Sequence, residues 1–183
     1  MYNLKKFLTE HGVDWSTWGQ GASREIEHLF QELEEDASEL LPTPDGQLIR
    51  RNKGVRLTIY CFVDGQRYRL YEDKQVFADG RERQRDQSFS LGEKCRRHEN
   101  IFATAFRAIK EELDIWNDEG IILYNHTQTT TPLHDSQSYP GLQSQFIVDS
   151  FDVQMPPRLF KPEGYVEKQR EKTSYFIWKK VTA

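Results

Sequence analysis

The sequence predicts an α/β sandwich with a mixed central sheet, preceded by a helical extension. Three observations carry this expectation. Apolar residues recur at helical spacing before residue 41, strand-like runs begin near residue 47, and a single amphipathic helix interrupts the strands. The expected division is a helical extension over 1–41 and the sandwich over 42–183.

In the extension, Leu4, Phe7 and Leu8 mark a short helix that should stop at Gly12. Ser23 is an expected N-cap for a second helix, whose apolar stripe runs Ile26, Leu29, Phe30, Leu33, Ala37, Leu40, Leu41. The acids among them, Glu27, Glu32, Glu34, Glu35 and Asp36, read as a solvated face. Pro42, Pro44 and Asp45-Gly46 break the chain. Beyond them Val55–Val63 and Tyr68–Tyr71 flank Asp64-Gly65, a two-residue hairpin turn. Gln75–Ala78 is a further extended piece. A helix is expected over about residues 99–114, then strands at Ile121–Asn125, Gln145–Phe151 and Tyr175–Trp178. Polar loops, Thr127–Ser144 and Pro156–Lys172, separate these last three. Trp15 and Trp18 should dock the N-terminal helices.

The chain has 183 residues, enough to bury a core. No apolar run approaches the roughly 18 residues of a spanning helix, and residues 1–10 carry no signal-like apolar segment. The expectation is therefore a protein without a membrane partner. A net charge of −4 gives no general attraction to nucleic acid. The two cysteines, Cys61 in an apolar run and Cys95 in a charged loop, have no metal-ligand or redox spacing. A reducing compartment, the cytoplasm, is the default setting.

The chemistry concentrates in Leu91–Ile115. With Ile109 at zero on a helical wheel, Ile101, Phe102, Ala105, Phe106 and Leu113 share an arc of roughly 140°. Glu112 falls at about −60°, beside that stripe, and Glu111 at about −160°. A carboxylate beside a core stripe is costly, and adjacent carboxylates repel. Ion pairs with Arg107, one turn earlier, relieve this in one way. A hard divalent cation such as Mg²⁺ relieves it in another.

The longer pattern resembles the Nudix box, Gly-x5-Glu-x7-Arg-Glu-U-x-Glu-Glu-x-Gly-U, with U a bulky aliphatic residue. Glu99, Arg107, Ile109, Glu111, Glu112 and Ile115 fall in register with it. Three positions depart. Glu93 stands where the box opens on glycine, Asp114 replaces the late glycine, and Ala108 replaces the glutamate after the arginine. On the wheel Ala108 sits at about −100°, between the two surviving carboxylates. The resemblance implies a Nudix-like α/β/α sandwich and a nucleotide-derived small-molecule ligand. It implies Mg²⁺ or Mn²⁺ held by Glu111 and Glu112 with Glu99 as a further ligand, and Arg107 orienting a box carboxylate. Loss of the glutamate at Ala108 leaves two outcomes open. One is a weak hydrolase of a diphosphate linkage, its base supplied by His134, Asp135, Glu163, Glu167 or Glu171. The other is an inactive module that senses a nucleotide or binds a protein, and a protein partner or homodimer stays open too.

Two other constellations bear on a ligand. Arg81, Arg83 and Arg85 alternate with Glu82 and Gln84, so an extended backbone would put the guanidinium groups on one face, able to clamp a diphosphate. A solvated edge strand gives the same alternation. In Ser138-Tyr139-Pro140-Gly141-Leu142, Tyr139 could stack on a base or sugar, or pack inward in a structural turn.

Overall fold

In a computed structural model of the chain, residues 2–21, 23–35, 37–84, 87–96, 98–117 and 119–181 are described. The protein is α/β, and it divides into two compact units. Unit 1 comprises Met1–Gly54, Lys94–Glu99 and Gln128–Val148. Unit 2 comprises Val55–Glu93, Asn100–Thr127 and Asp149–Ala183. No described helix is long and apolar enough to cross a membrane.

Unit 1 opens with α1 (Tyr2–Glu10) and α2 (Ile26–Glu34). The first helix ends before Gly12, whose φ of +72° suits glycine. Ser23 does not cap the second; Glu25 holds the N-cap position, and the Ser23 hydroxyl closes a turn onto the Gln20 carbonyl at 2.7 Å. The second helix also stops earlier than its apolar spacing suggests. Leu40 and Leu41 lie instead in β1 (Glu39–Pro42), antiparallel to the start of β2 (Leu48–Val63). The Ala37 and Ser38 amides both turn back to the Glu32 carbonyl, which ends the helix and frees the following residues to pair as a strand. A short β7 (His134–Asp135) pairs with the start of β8 (Gln143–Met155). Leu4, Leu8, Trp18, Ile26, Leu29, Tyr139 and Leu142 form the core of this unit, so the N-terminal helices are packed through their apolar faces. Burying each such side chain is worth about 1.5–3 kcal/mol.

Glu32 was expected on a solvated face, yet it is buried among cations. Arg50 Nη2 donates to its carboxylate, as do Arg24 Nη1 and Lys94 Nζ, each at 3.1 Å, and Ser38 Oγ at 2.9 Å. Burial works against the charge, but Arg50 and Lys94 outweigh it and hold the Glu32 carboxyl below the usual glutamate range. Cys95 is likewise buried rather than in an open loop, its amide bonded to the Lys53 carbonyl at 3.0 Å.

Unit 2 holds the rest of β2 with β3 (Gln66–Phe77), β4 (Glu82–Arg83), α3 (Ile101–Leu113), β9 (Tyr165–Lys168), β10 (Lys172–Lys180), most of β5 (Leu91–Lys94) and β6 (Ile122–Thr130), and the end of β8. Through this unit the strand order is β6-β8-β2-β3-β10-β9. Asp64 and Gly65 both take positive φ at the β2–β3 hairpin, as the twist of a two-residue turn requires. Strand β3 is longer than its sequence pattern suggests, because Gln75–Phe77 continues it. One irregularity interrupts it. Tyr175 of β10 pairs with Lys74 and Phe176 with Glu72, which leaves Asp73 as an extra, bulged residue. Before β9, Gly164 has φ +83°, and a Cβ there would lie 1.9 Å from the Phe176 carbonyl oxygen. The core combines Val55, Leu57, Ile59, Cys61 and Leu70 of the sheet with Ala105, Ala108, Ile109 and Leu113 of the helix.

Candidate active site

Helix α3 positions the site. Asn100 caps it, its side chain accepting from the Ala103 amide at 2.9 Å. At the other end Asp114 adopts a left-handed conformation, φ 54° and ψ 41°. That explains the glycine of the box pattern: the position needs positive φ, and here an aspartate supplies it.

The buried face of α3 differs from the one expected. Thr104, Ala105, Ala108, Ile109 and Leu113 are buried, while Phe102 is half exposed. On the ideal wheel these buried residues centre near −50° from Ile109, so the helix is rotated towards Glu112. Two corrections follow. Ala108 is not an open position between two carboxylates, because its methyl is fully buried in the core. Glu112 points along the buried face rather than beside it.

Arg107 is paired with two carboxylates. Its Nη1 lies 3.1 Å from Glu111 Oε2 and 3.4 Å from Glu93 Oε1, and its side chain is largely buried. Glu111 is the exposed member of the adjacent pair. Glu112 keeps some access to solvent, yet protein surrounds it. Burial, together with the carboxylates of Glu167, Glu93 and Glu72, pushes its carboxyl well above the ordinary glutamate range, and Lys172 opposes them. Helix α3 packs on β9, which brings Glu167 to this cluster. Gln169 Nε2 donates to Glu167 Oε1 at 2.6 Å, and Gln87 Nε2 to Glu72 Oε2 at 3.4 Å.

Of the four acids and one histidine expected as a substitute base, only Glu167 is placed against Glu112, and it lies in a strand rather than a loop. Glu163 and Glu171 are exposed, and His134 and Asp135 belong to unit 1. Glu99 also belongs to unit 1, where its Oε2 accepts from the Arg96 amide at 3.1 Å. Glu93 and Glu72 were missed as site residues. For Glu93 the signal was present: an acid standing where the box pattern begins on glycine. Glu72 gave none, since it is one charge among several in a strand. Among the described residues, no group of three or more His, Cys, Asp or Glu side chains is arranged to hold a metal ion.

Tyr139 does not present its ring to a ligand. It is fully buried in unit 1, 5.1 Å from the Trp18 ring, with the Arg50 guanidinium 4.9 Å above it. Arg81 and Arg83 lie in unit 2 and are exposed; Arg85 lies outside the described residues. Arg81 Nε is paired with Asp79 Oδ2 at 2.6 Å, and Arg83 Nη2 donates to Gln75 Oε1 at 2.5 Å.

No protein-family model and no curated protein matches the chain. Among solved structures, it is similar to a C. elegans Ap4A hydrolase in a binary complex. The identity is 17%, with 70% of this chain and 77% of that chain covered, at a TM-score of 0.41. A second structure of C. elegans Ap4A hydrolase shows 13% identity, 70% and 79% coverage and a TM-score of 0.36. The NUDIX domain of Shewanella oneidensis NrtR, complexed with ADP ribose, shows 13% identity, 69% and 70% coverage and a TM-score of 0.31. Likenesses this partial decide nothing about activity, which has to be read from this chain's own side chains.

Proposed function

We propose that the protein is a divergent Nudix-type hydrolase of a diphosphate linkage in a nucleotide derivative, dependent on Mg²⁺ or Mn²⁺. The observation that carries this is the placement of Glu112. A carboxylate set into the fold beside Glu93, Glu72 and Glu167 is strained by burial and by like charge. Lys172 offsets part of that strain, and a proton or a bound cation would relieve the rest.

Carboxylate oxygens are the donors a hard divalent ion takes, its shell being completed by water and substrate phosphates. Glu112 would hold it, with Glu111 at the helix edge as the second carboxylate. When bound, the ion would neutralise phosphoryl charge and lower the pKa of water. The chain's own residues do the rest. Arg107 pairs with the Glu93 and Glu111 carboxylates and offsets their negative charge beside Glu112. Glu167, beside Glu112, is the candidate proton acceptor in place of the acid missing at Ala108. Both cysteines are free thiols, in keeping with a reducing, cytoplasmic setting.

The test is a screen of nucleoside-diphosphate compounds with Mg²⁺ or Mn²⁺, reading product and thermal shift together. Turnover that Glu112→Gln abolishes supports the hydrolase. A ligand-dependent thermal shift without turnover supports a second reading, a nucleotide-sensing module without catalysis. That second reading is favoured by one observation: the described residues offer no ready-made three-ligand group.

A further inference from the structure

The sheet of unit 2 has two unlike faces. Val55, Leu57, Ile59, Cys61 and Leu70 turn one face to helix α3, and the acid cluster around Glu112 lies on that side. Strand alternation turns Arg56, Thr58, Tyr60 and Phe62 of β2 the other way. Cross-strand pairing extends this second face. Arg69 lies opposite Tyr60, Arg67 opposite Phe62, Lys179 opposite Arg69 and Ile177 opposite Tyr71. None of these residues is buried, and Phe62 is 49% exposed, so the second face is open to solvent.

Rings and cations alternate on it. The Arg67 guanidinium lies 3.8 Å from the Tyr60 ring centroid and 5.9 Å from that of Phe62. Arg69 and Lys179 lie 4.6 Å and 5.1 Å from the Tyr71 centroid, and Arg56 lies 4.9 Å from that of Phe89. Each contact rests a cation on an aromatic ring instead of on a carboxylate. Arg69 also donates to the Ser88 carbonyl, while the Nε atoms of Arg67 and Arg69 have no hydrogen-bond partner. Among the described residues, none of Arg56, Arg67, Arg69 and Lys179 forms an ion pair. Asp152 of β8 is the one carboxylate among these strand positions, and its Oδ2 accepts from Asn125 Nδ2 at 2.9 Å. The cationic excess ends at Lys74, which Glu82 matches at 2.9 Å. The chain's net charge of −4 therefore does not describe this face.

We propose that this open face binds single-stranded nucleic acid, with phosphates on Arg56, Arg67, Arg69 and Lys179 and bases stacked on Phe62 and on the ring-backed guanidinium of Arg67. Charge complementarity selects a polyanion, since four cations without carboxylate partners share one surface. The interleaved rings select among polyanions. Unpaired bases stack on aromatic side chains and on guanidinium groups, whereas the bases of a duplex are already stacked on one another. A polyanion without bases uses the charges alone. This surface is independent of the hydrolase reading, whose residues lie on the helix side of the sheet.

The experiment is fluorescence anisotropy of a labelled oligouridylate of roughly 12 nucleotides with the full chain, across a range of salt concentrations. Sodium polyphosphate is the competitor, and an RNA duplex of the same length is the second probe. The single strand should bind, weaken as salt rises, and resist polyphosphate at equal phosphate concentration. Arg67→Gln/Lys179→Gln should weaken binding at least about tenfold and flatten the log–log salt slope by about 0.7 for each phosphate contact removed. Phe62→Ser should weaken binding about fivefold or more and leave that slope unchanged. Melting curves verify folding. Because Arg67 packs on Tyr60, the exposed positions Phe62 and Lys179, substituted singly, carry the test if the double variant does not fold. Absence of binding at low salt, displacement by polyphosphate as effective as by unlabelled oligouridylate, or unchanged affinity in the folded variants overturns the proposal. Duplex binding equal to that of the single strand also overturns it, because a duplex has no free base to offer Phe62.

Discussion

Arg50 and Glu32 form a buried ion pair, with Arg50 Nη2 donating to a carboxylate oxygen and little of either side chain exposed. Breaking such a pair leaves an uncompensated charge, which costs about 3–5 kcal/mol. Glu32→Gln should therefore lower the melting temperature sharply at neutral pH. The sign with pH follows from the depressed folded-state pKa. The contribution is present above the unfolded glutamate value and is lost as pH falls through the folded value. The wild type and the variant should converge in acid. Parallel melting curves across pH would contradict the pair's role.

Glu112 should show the opposite dependence. Its folded-state pKa is raised well above 4.5. Below that value the side chain is neutral in both states and costs nothing. As pH rises, the unfolded chain ionises first and the folded state loses stability until its own pKa is passed. Glu112→Gln should then be more stable than wild type at pH 8 and equal to it at pH 4. Added Mg²⁺ should narrow the difference by stabilising the wild type alone. Thermal melts at both pH values, with and without the ion, decide this.

Ala108→Glu would restore the box glutamate, but the structure gives it no room. The Ala108 methyl is fully buried among Ala105, Ile109 and Leu113. A carboxylate there is a buried, unpaired charge, and the expected loss is at least about 3 kcal/mol with no gain in hydrolysis. A soluble variant with an unchanged melting temperature and new activity would show that the helix can rotate to present this position.

Arg107→Met should remove the fork between Glu93 and Glu111 while keeping much of the aliphatic stem. Hydrogen bonds to charged groups are worth roughly 1.5–3 kcal/mol, so a loss towards the low end is expected, because Glu111 is partly solvated. If the proposed activity is present, its loss should exceed what the fall in stability explains. Activity measured well below the melting temperature separates the two effects.

Much of the framework was legible in local pattern. The Asp64-Gly65 hairpin, the extent of α3 and the strand near Trp178 each follow from residues close in sequence. The errors came from distant partners. Glu32 lies among acids in sequence, and only Arg50 and Lys94, brought from elsewhere in the chain, make it a buried residue. Leu40 continues a helical stripe, yet pairing with Arg50 across the sheet claims it for a strand. In the site, Arg107, Glu111 and Glu112 were readable because one helix carries them. Glu167 was one candidate among five and Glu72 was not singled out, because no spacing announces the approach of their strands to α3.

The bulge at Asp73 has a consequence for anyone comparing this chain with its relatives. Removing that single residue would return β3 to strict alternation and leave Glu72, Gln75 and Phe77 on the side of the sheet they already share, because the bulge absorbs the extra residue without moving its neighbours from their partners on β10. Two chains that differ by this one residue would thus carry the same side chains on this surface, and a one-residue gap at this point is a change of length that the sheet absorbs locally.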